Sequence, residues 1–218
     1  MTAPWRKWQQ YYESICHEYR EKWETWDEIL YDVCRRFYHH GEISGMAAKL
    51  GMVGNADPSR FVGKAGRELS EVVDFFYVHR LEMDKIFKPL AGLKEPLNAE
   101  KLKKIVSLEG QLVSLIHSLS PDPYAVHSFA SKYLHFHNPL VPIYGSRSEQ
   151  VVMNKEWFPA SIKLEDFPLA KPGDKIYRDF CQRYLAIYQS FRGMIPGINA
   201  KQIDYCLLAE YYRIKRSK

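Results

Sequence analysis

Apolar residues recur along most of the chain at steps of three and four, the period of an α-helix that packs on one side. The first stripe, Trp8, Tyr12, Ile15, Tyr19, Trp23, Trp26, Leu30, Val33 and Phe37, predicts helix from Pro4 to about His40 with that face buried. Gly41, Gly45, Gly51 and Gly54 follow, and a short helix over 44–50 is expected between loops. Asp57 before Pro58 has the form of an N-cap and a first helical residue, opening a buried helix that carries Phe61, Leu69, Val72, Val73 and Phe76, with further helix to about Leu90.

Asn98 is placed to cap a helix whose face is Leu102, Ile105, Leu108, Leu112, Leu115 and Ile116, ending near Ser120 because Pro121 and Pro123 follow. Helix resumes over 124–137 and stops at Asn138 and Pro139. Leu140 to Tyr144 is apolar but contains Pro142, which predicts a short extended stretch. Ser146 and Glu149 match the S-x-x-E capping box of the next helix, with a sharp turn at Gly145. Trp157 to Gly173 has three prolines and no periodicity and reads as a long surface loop. Asp174 and Asn199 then cap the last two helices, separated by a turn at Pro196 and Gly197. The fold expected is all-α, about eight to ten helices in one domain spanning 1–218, with closely packed lobes over 1–120 and 121–218.

Composition narrows the classes further. The 218 residues are 46% apolar and 26% charged, which excludes disorder, and at this length a core needs neither disulfide nor metal. Cys16, Cys34, Cys181 and Cys206 stand singly, as buried thiols of a reducing compartment do. No stretch reaches the roughly 18 apolar residues of a membrane span, and the first residues do not form a signal sequence, so a cytoplasmic protein without membrane contact is expected. The net charge is +5; the two signs cancel over 1–145, and the excess lies in 146–218, where Arg213, Lys215, Arg216 and Lys218 form a tail with the character of a solvated end. His135 and His137 are two apart on a helix and point to different sides, so no metal site is expected, and no residue pattern calls for a cofactor.

One segment stands out for chemistry. Ala130-Ser131-Lys132 lies on the helix over 124–137, a proline-flanked connection follows, and Pro142-Ile143-Tyr144-Gly145-Ser146-Arg147 turns into the next helix. This order, about 20 residues long, resembles the core of the helix-hairpin-helix DNA glycosylase superfamily, in which a lysine-bearing helix precedes a turn that holds a catalytic aspartate. The resemblance implies base excision from double-stranded DNA by a monomer that everts one nucleotide. Among the substrates it suggests are modified or damaged bases, including the hypermodified cytosines of phage DNA attacked by anti-phage glycosylases.

This chain departs from the pattern at the decisive place, since Gly145 stands where the resemblance wants aspartate. An oxocarbenium-like transition state needs a fixed anion that glycine does not supply. Gly145 is therefore the mark of an inactivated form, or of a non-catalytic relative, or of an enzyme that draws its carboxylate from elsewhere, with Glu149, Asp122 and Asp166 nearest in sequence; otherwise it is a turn residue. Lys132 is either a Schiff-base nucleophile, as in the bifunctional branch of the superfamily, or an exposed helix lysine.

The resemblance puts Ser131 and Arg147 on the DNA backbone. The stretch Met194 to Lys201 looks like a second hairpin, which adds Arg192, Asn199 and Lys201 as phosphate contacts, or else is a plain structural loop. Tyr144 and Trp157 are the aromatic residues expected to meet the everted base. The competing reading is a non-enzymatic helical DNA-binding or protein-interaction domain.

Overall fold

A computed structural model describes residues 12–56, 61–62, 67–154 and 175–216, and every element within them is helical apart from one isolated bridge between Val62 and Arg67. In chain order these are α1 (Tyr12–Tyr19), a π-helical turn (Arg20–Glu24), α2 (Thr25–Arg36), α3 (Ile43–Asn55), α4 (Leu69–Val78), α5 (Arg80–Ala91) and α6 (Ala99–Ile116). After a 3-10 turn (His117–Leu119) come α7 (Pro123–His137), α8 (Ser146–Val152), α9 (Lys175–Met194) and α10 (Ala200–Arg216). One apolar cluster runs through the molecule from Leu30 to Leu207. None of the helices is long and apolar enough to cross a membrane.

Helix α7 is the central element. It packs against α2, α3, α5 and α6, and between Ala125 and His137 only Lys132 escapes full burial. Polar side chains buried along such a helix must be satisfied internally. His127 pairs with Glu109 on α6 at 2.7 Å, and Nδ1 of His135 donates to the Val141 carbonyl at 2.7 Å. His137 donates to the Tyr133 carbonyl at 2.6 Å and lies 3.3 Å from the Lys49 amine. His40 is held by Asp84 at 2.9 Å on one ring nitrogen and by the Tyr133 hydroxyl at 2.9 Å on the other.

The ends of α7 follow from local chemistry. Asp122 accepts from the Tyr124 N–H at 2.9 Å with Pro123 at the first helical position, so both the cap and the fixed φ favour a start here. Asn138 stops the helix by donating to the carbonyls of Leu90 and Leu93 at 2.8 and 3.0 Å while its own carbonyl takes the Leu140 N–H. In place of the extended stretch expected over 140–144, Pro139 and Leu140 form a turn in which the Val141 N–H reaches the Asn138 carbonyl at 3.1 Å; the chain then runs buried to Tyr144, pinned by the Tyr177 hydroxyl on the Pro142 carbonyl at 2.7 Å, and enters α8.

Several expected elements differ. The helix foreseen from Pro58 through Phe61 begins only at Leu69; Phe61 and Val62 lie outside it, and 57–60 and 63–66 are outside the described residues. The short helix over 44–50 runs from Ile43 to Asn55, and within it Gly45 lies against Phe37 and Gly54 against Val62, where an added Cβ would collide. The residue that precedes α8 is Gly145 and not Ser146, and no side chain caps the helix. Trp23 and Trp26 were expected in the core, yet they are exposed. The π turn supplies the reason, since its wider winding rotates the stripe that follows relative to the one before.

Candidate functional site

A large cleft, of about 1140 Å³, opens where α7, the bend before α8, α10 and the α1 to α2 junction meet. Gly145, Lys132, Tyr144, Arg147 and Lys201 all line it, so five of the residues singled out in the sequence converge on one concavity. Gly145 sits at its wall with φ −159° and ψ 152°, an extended conformation open to any residue, and no atom lies within 4 Å of where its Cβ would be. Neither backbone geometry nor packing requires glycine here, which removes the reading of Gly145 as an obligatory turn residue.

Lys132 is not an exposed helix lysine. Its side chain is partly buried and lines the cleft, with the amine 3.4 Å from the Ser128 hydroxyl one turn earlier. Burial lowers its pKa to about 7, with Lys201 and Arg147 adding to the fall and Asp204 opposing it. Near neutrality such an amine is substantially uncharged, as a nucleophilic lysine must be.

Among the acids that line the cleft, Asp204 on α10 is the most buried, with Asp27 on α2 close by and Glu18 and Asp122 elsewhere on the lining. Asp204 is buried, accepts from the Ser148 hydroxyl at 3.2 Å and lies 3.8 Å from the Lys201 amine. Burial raises its pKa above the ordinary value, against the pull of Lys201, Lys132 and the Ser148 hydrogen bond. Asp27 accepts from the Tyr19 hydroxyl at 2.6 Å and meets Lys201 at 3.4 Å, so Lys201 bridges two acids at the floor. Neither Glu149 nor Asp122 takes that place. Glu149 does not line the cleft, Asp122 lines it but caps α7, and Asp166 is outside the described residues. Asp204 was legible in principle, because it falls on the apolar face of α10 beside Ile203 and Leu207, where an acid needs a partner.

Four of the expected contact residues have other duties. Ser131 is fully buried, and its hydroxyl accepts from the Tyr144 N–H at 3.0 Å, so it faces inward and holds the bend. Asn199 accepts from the Gln202 N–H at 2.9 Å while Gln202 takes the Asn199 N–H at 3.1 Å, a reciprocal cap of α10 that occupies the groups a phosphate would use. Arg192 is paired with Glu95 at 2.7 Å and does not line the cleft. Tyr144 forms wall and not a stacking face: its ring is buried, edge-on to Phe180 at 5.4 Å and to His127 at 6.3 Å.

Arg147 remains available at the mouth, exposed, with its guanidinium 5.4 Å from the Tyr212 ring centre and 2.6 Å from that hydroxyl. Trp157 lies outside the described residues. His135 and His137 make separate contacts on different sides of α7, and among the described residues no group of three His, Cys, Asp or Glu side chains could hold a metal ion. Comparison with protein-family models, with curated proteins and with solved structures finds no match.

Proposed function

We propose that this chain is a helix-hairpin-helix glycosylase-like protein that receives one everted nucleotide of DNA in the cleft beside Gly145, and that its present form holds the base without excising it. The observation that carries this reading is the meeting of Gly145 and Lys132 in one cleft. Residue 145 has space for a side chain that it does not bear, and an amine of lowered pKa lines the same concavity. In the resemblance, Gly145 stands where the superfamily pattern has its acid, and Lys132 stands near the position of its lysine. A missing anion at 145 removes the group that would stabilise a sugar cation and orient water. Base extrusion and binding do not depend on it.

The test is Gly145→Asp. The variant has room for the side chain and gains a better helix-capping residue, so it should fold at least as well as the parent. Incubated with DNA carrying modified cytosines or damaged bases, it should generate abasic sites that the parent does not. A folded variant that binds such DNA and leaves every base in place would favour the non-enzymatic binding domain.

A further inference from the structure

The rim of the cleft has a property that the floor lacks. Trp23, Tyr124 and Tyr212 are 53%, 53% and 43% exposed, and all three line the cleft mouth. They come from three elements remote in sequence, the π turn, the first turn of α7 and the last turns of α10. Other aromatic side chains of the cleft, such as Tyr19 and Tyr144, are buried. Trp23 and Tyr124 stand in water beside the concavity, while the Arg147 guanidinium lies over the Tyr212 ring, 5.4 Å from its centre.

Basic side chains share this mouth with the rings. Lys22, Arg147 and Arg216 stand at the same mouth, with Glu18 and Asp122 the acids among them. Lys22 is paired with Glu18 at 2.7 Å in an exposed, solvent-screened contact, and Asp122 is engaged at the start of α7. Exposed rings together with basic side chains suit a strand whose bases are unstacked and whose phosphates run alongside. In a duplex the bases already stack on one another, and such rings would have nothing to cover.

We propose that the cleft mouth binds a single DNA strand, with unpaired bases stacked on Trp23, Tyr124 and Tyr212 and phosphates met by Arg147, Lys22 and Arg216. This rests on reading the cleft as a nucleotide site, and it replaces the fully paired duplex with an unpaired region as the preferred substrate. The two bases flanking the one inside the cleft would then lie on the rim and not in a helix.

The experiment is anisotropy titration of a fluorescent 20-nucleotide strand and of the same strand annealed to its complement, against the intact chain at two salt concentrations. The single strand should bind at least tenfold more tightly. Trp23→Ala, Tyr124→Ala and Tyr212→Ala should each weaken it by about tenfold, as loss of one stacked base does. Trp23→Phe and Tyr124→Phe should retain most of the affinity. These side chains are exposed, so the variants should fold, which circular dichroism checks. Equal or tighter duplex binding overturns the proposal, as do alanine variants that bind like the parent. If Gly145→Asp excises bases from duplex DNA while the strand preference is absent, the proposal fails and the base-excision reading stands. Absence of binding to either form removes both.

Discussion

The backbone N–H of Tyr144 donates to the hydroxyl of Ser131 at 3.0 Å, and this one hydrogen bond ties the bend at Gly145 to the turn of α7 that carries Lys132. The same hydroxyl donates to the Ser128 carbonyl at 3.1 Å. Residue 145 and the lysine are thereby held in register by a side chain that never reaches solvent. Ser131→Ala leaves a buried N–H without its partner and should destabilise the chain by about 1–3 kcal/mol. Chemical denaturation reads the loss, and the cleft variants should not show one of that size.

Arg147 and Asn199 should separate cleanly in DNA titrations. Arg147→Ala is expected to weaken binding across sequences and to reduce the salt dependence by about one phosphate contact. Asn199→Ala removes the cap of α10 and should cost about 1 kcal/mol of stability with no change in DNA affinity. The reverse pattern would return the phosphate contact to the hairpin at Pro196 and Gly197.

Acidification should destabilise the fold before most carboxylates titrate. Burial and the nearby Lys49 lower His40 from 6.5 to about 4, and burial together with Lys201 lowers His135 to about 3. His137 is pushed well below its ordinary value by burial and Lys49. Each of these rings is neutral in the folded chain and binds a proton more readily once unfolded. The stability they contribute is therefore complete above about pH 6.5 and declines as pH falls toward 4 for His40 and toward 3 for His135. Denaturant titrations between pH 6 and 4.5 should show stability falling by about 1.4 kcal/mol per pH unit for each such histidine. Stability that is flat or rises on acidification would mean that these rings are charged in the native state.

The Glu109 and His127 pair sits under the cleft wall, with both side chains almost fully enclosed. Truncating one partner strands the other in the core, so His127→Ala should cost about 3–5 kcal/mol in thermal or chemical denaturation. An effect below 1 kcal/mol would show that the pair relaxes to water.

The helices were readable where local signals agree with packing. Asn98 and Asn138 each start or stop a helix by hydrogen bonds that their side chains make within a few residues, so sequence spacing suffices to find them, whereas at the start of α7 the sequence marks Pro123 and not the cap that Asp122 provides. The segment after Asp57 misled because Phe61 is fully buried without being helical, and burial alone does not distinguish the two. Trp23 and Trp26 misled because a π turn leaves no periodic trace in a short window. At the site, Lys132, Gly145 and Arg147 lie within one sequence segment and were found together. Asp204 and Asp27 reach the cleft from α10 and α2, and only tertiary packing brings them to Lys132. Ser131 and Asn199 are expected at DNA only through the resemblance, whereas in the fold both are engaged by backbone N–H groups.

The most direct measurement is reductive trapping of the unmodified chain on DNA that carries one abasic site. The neutral Lys132 amine should condense with the sugar aldehyde, losing water to form an imine that borohydride reduces to a stable secondary amine. One covalent adduct is expected, mapping to Lys132 by peptide mass, forming half-maximally near pH 7 and absent in Lys132→Gln. No adduct, or scattered labelling of surface lysines that rises only near their ordinary pKa of about 10.4, would contradict a cleft that brings a nucleotide sugar to Lys132.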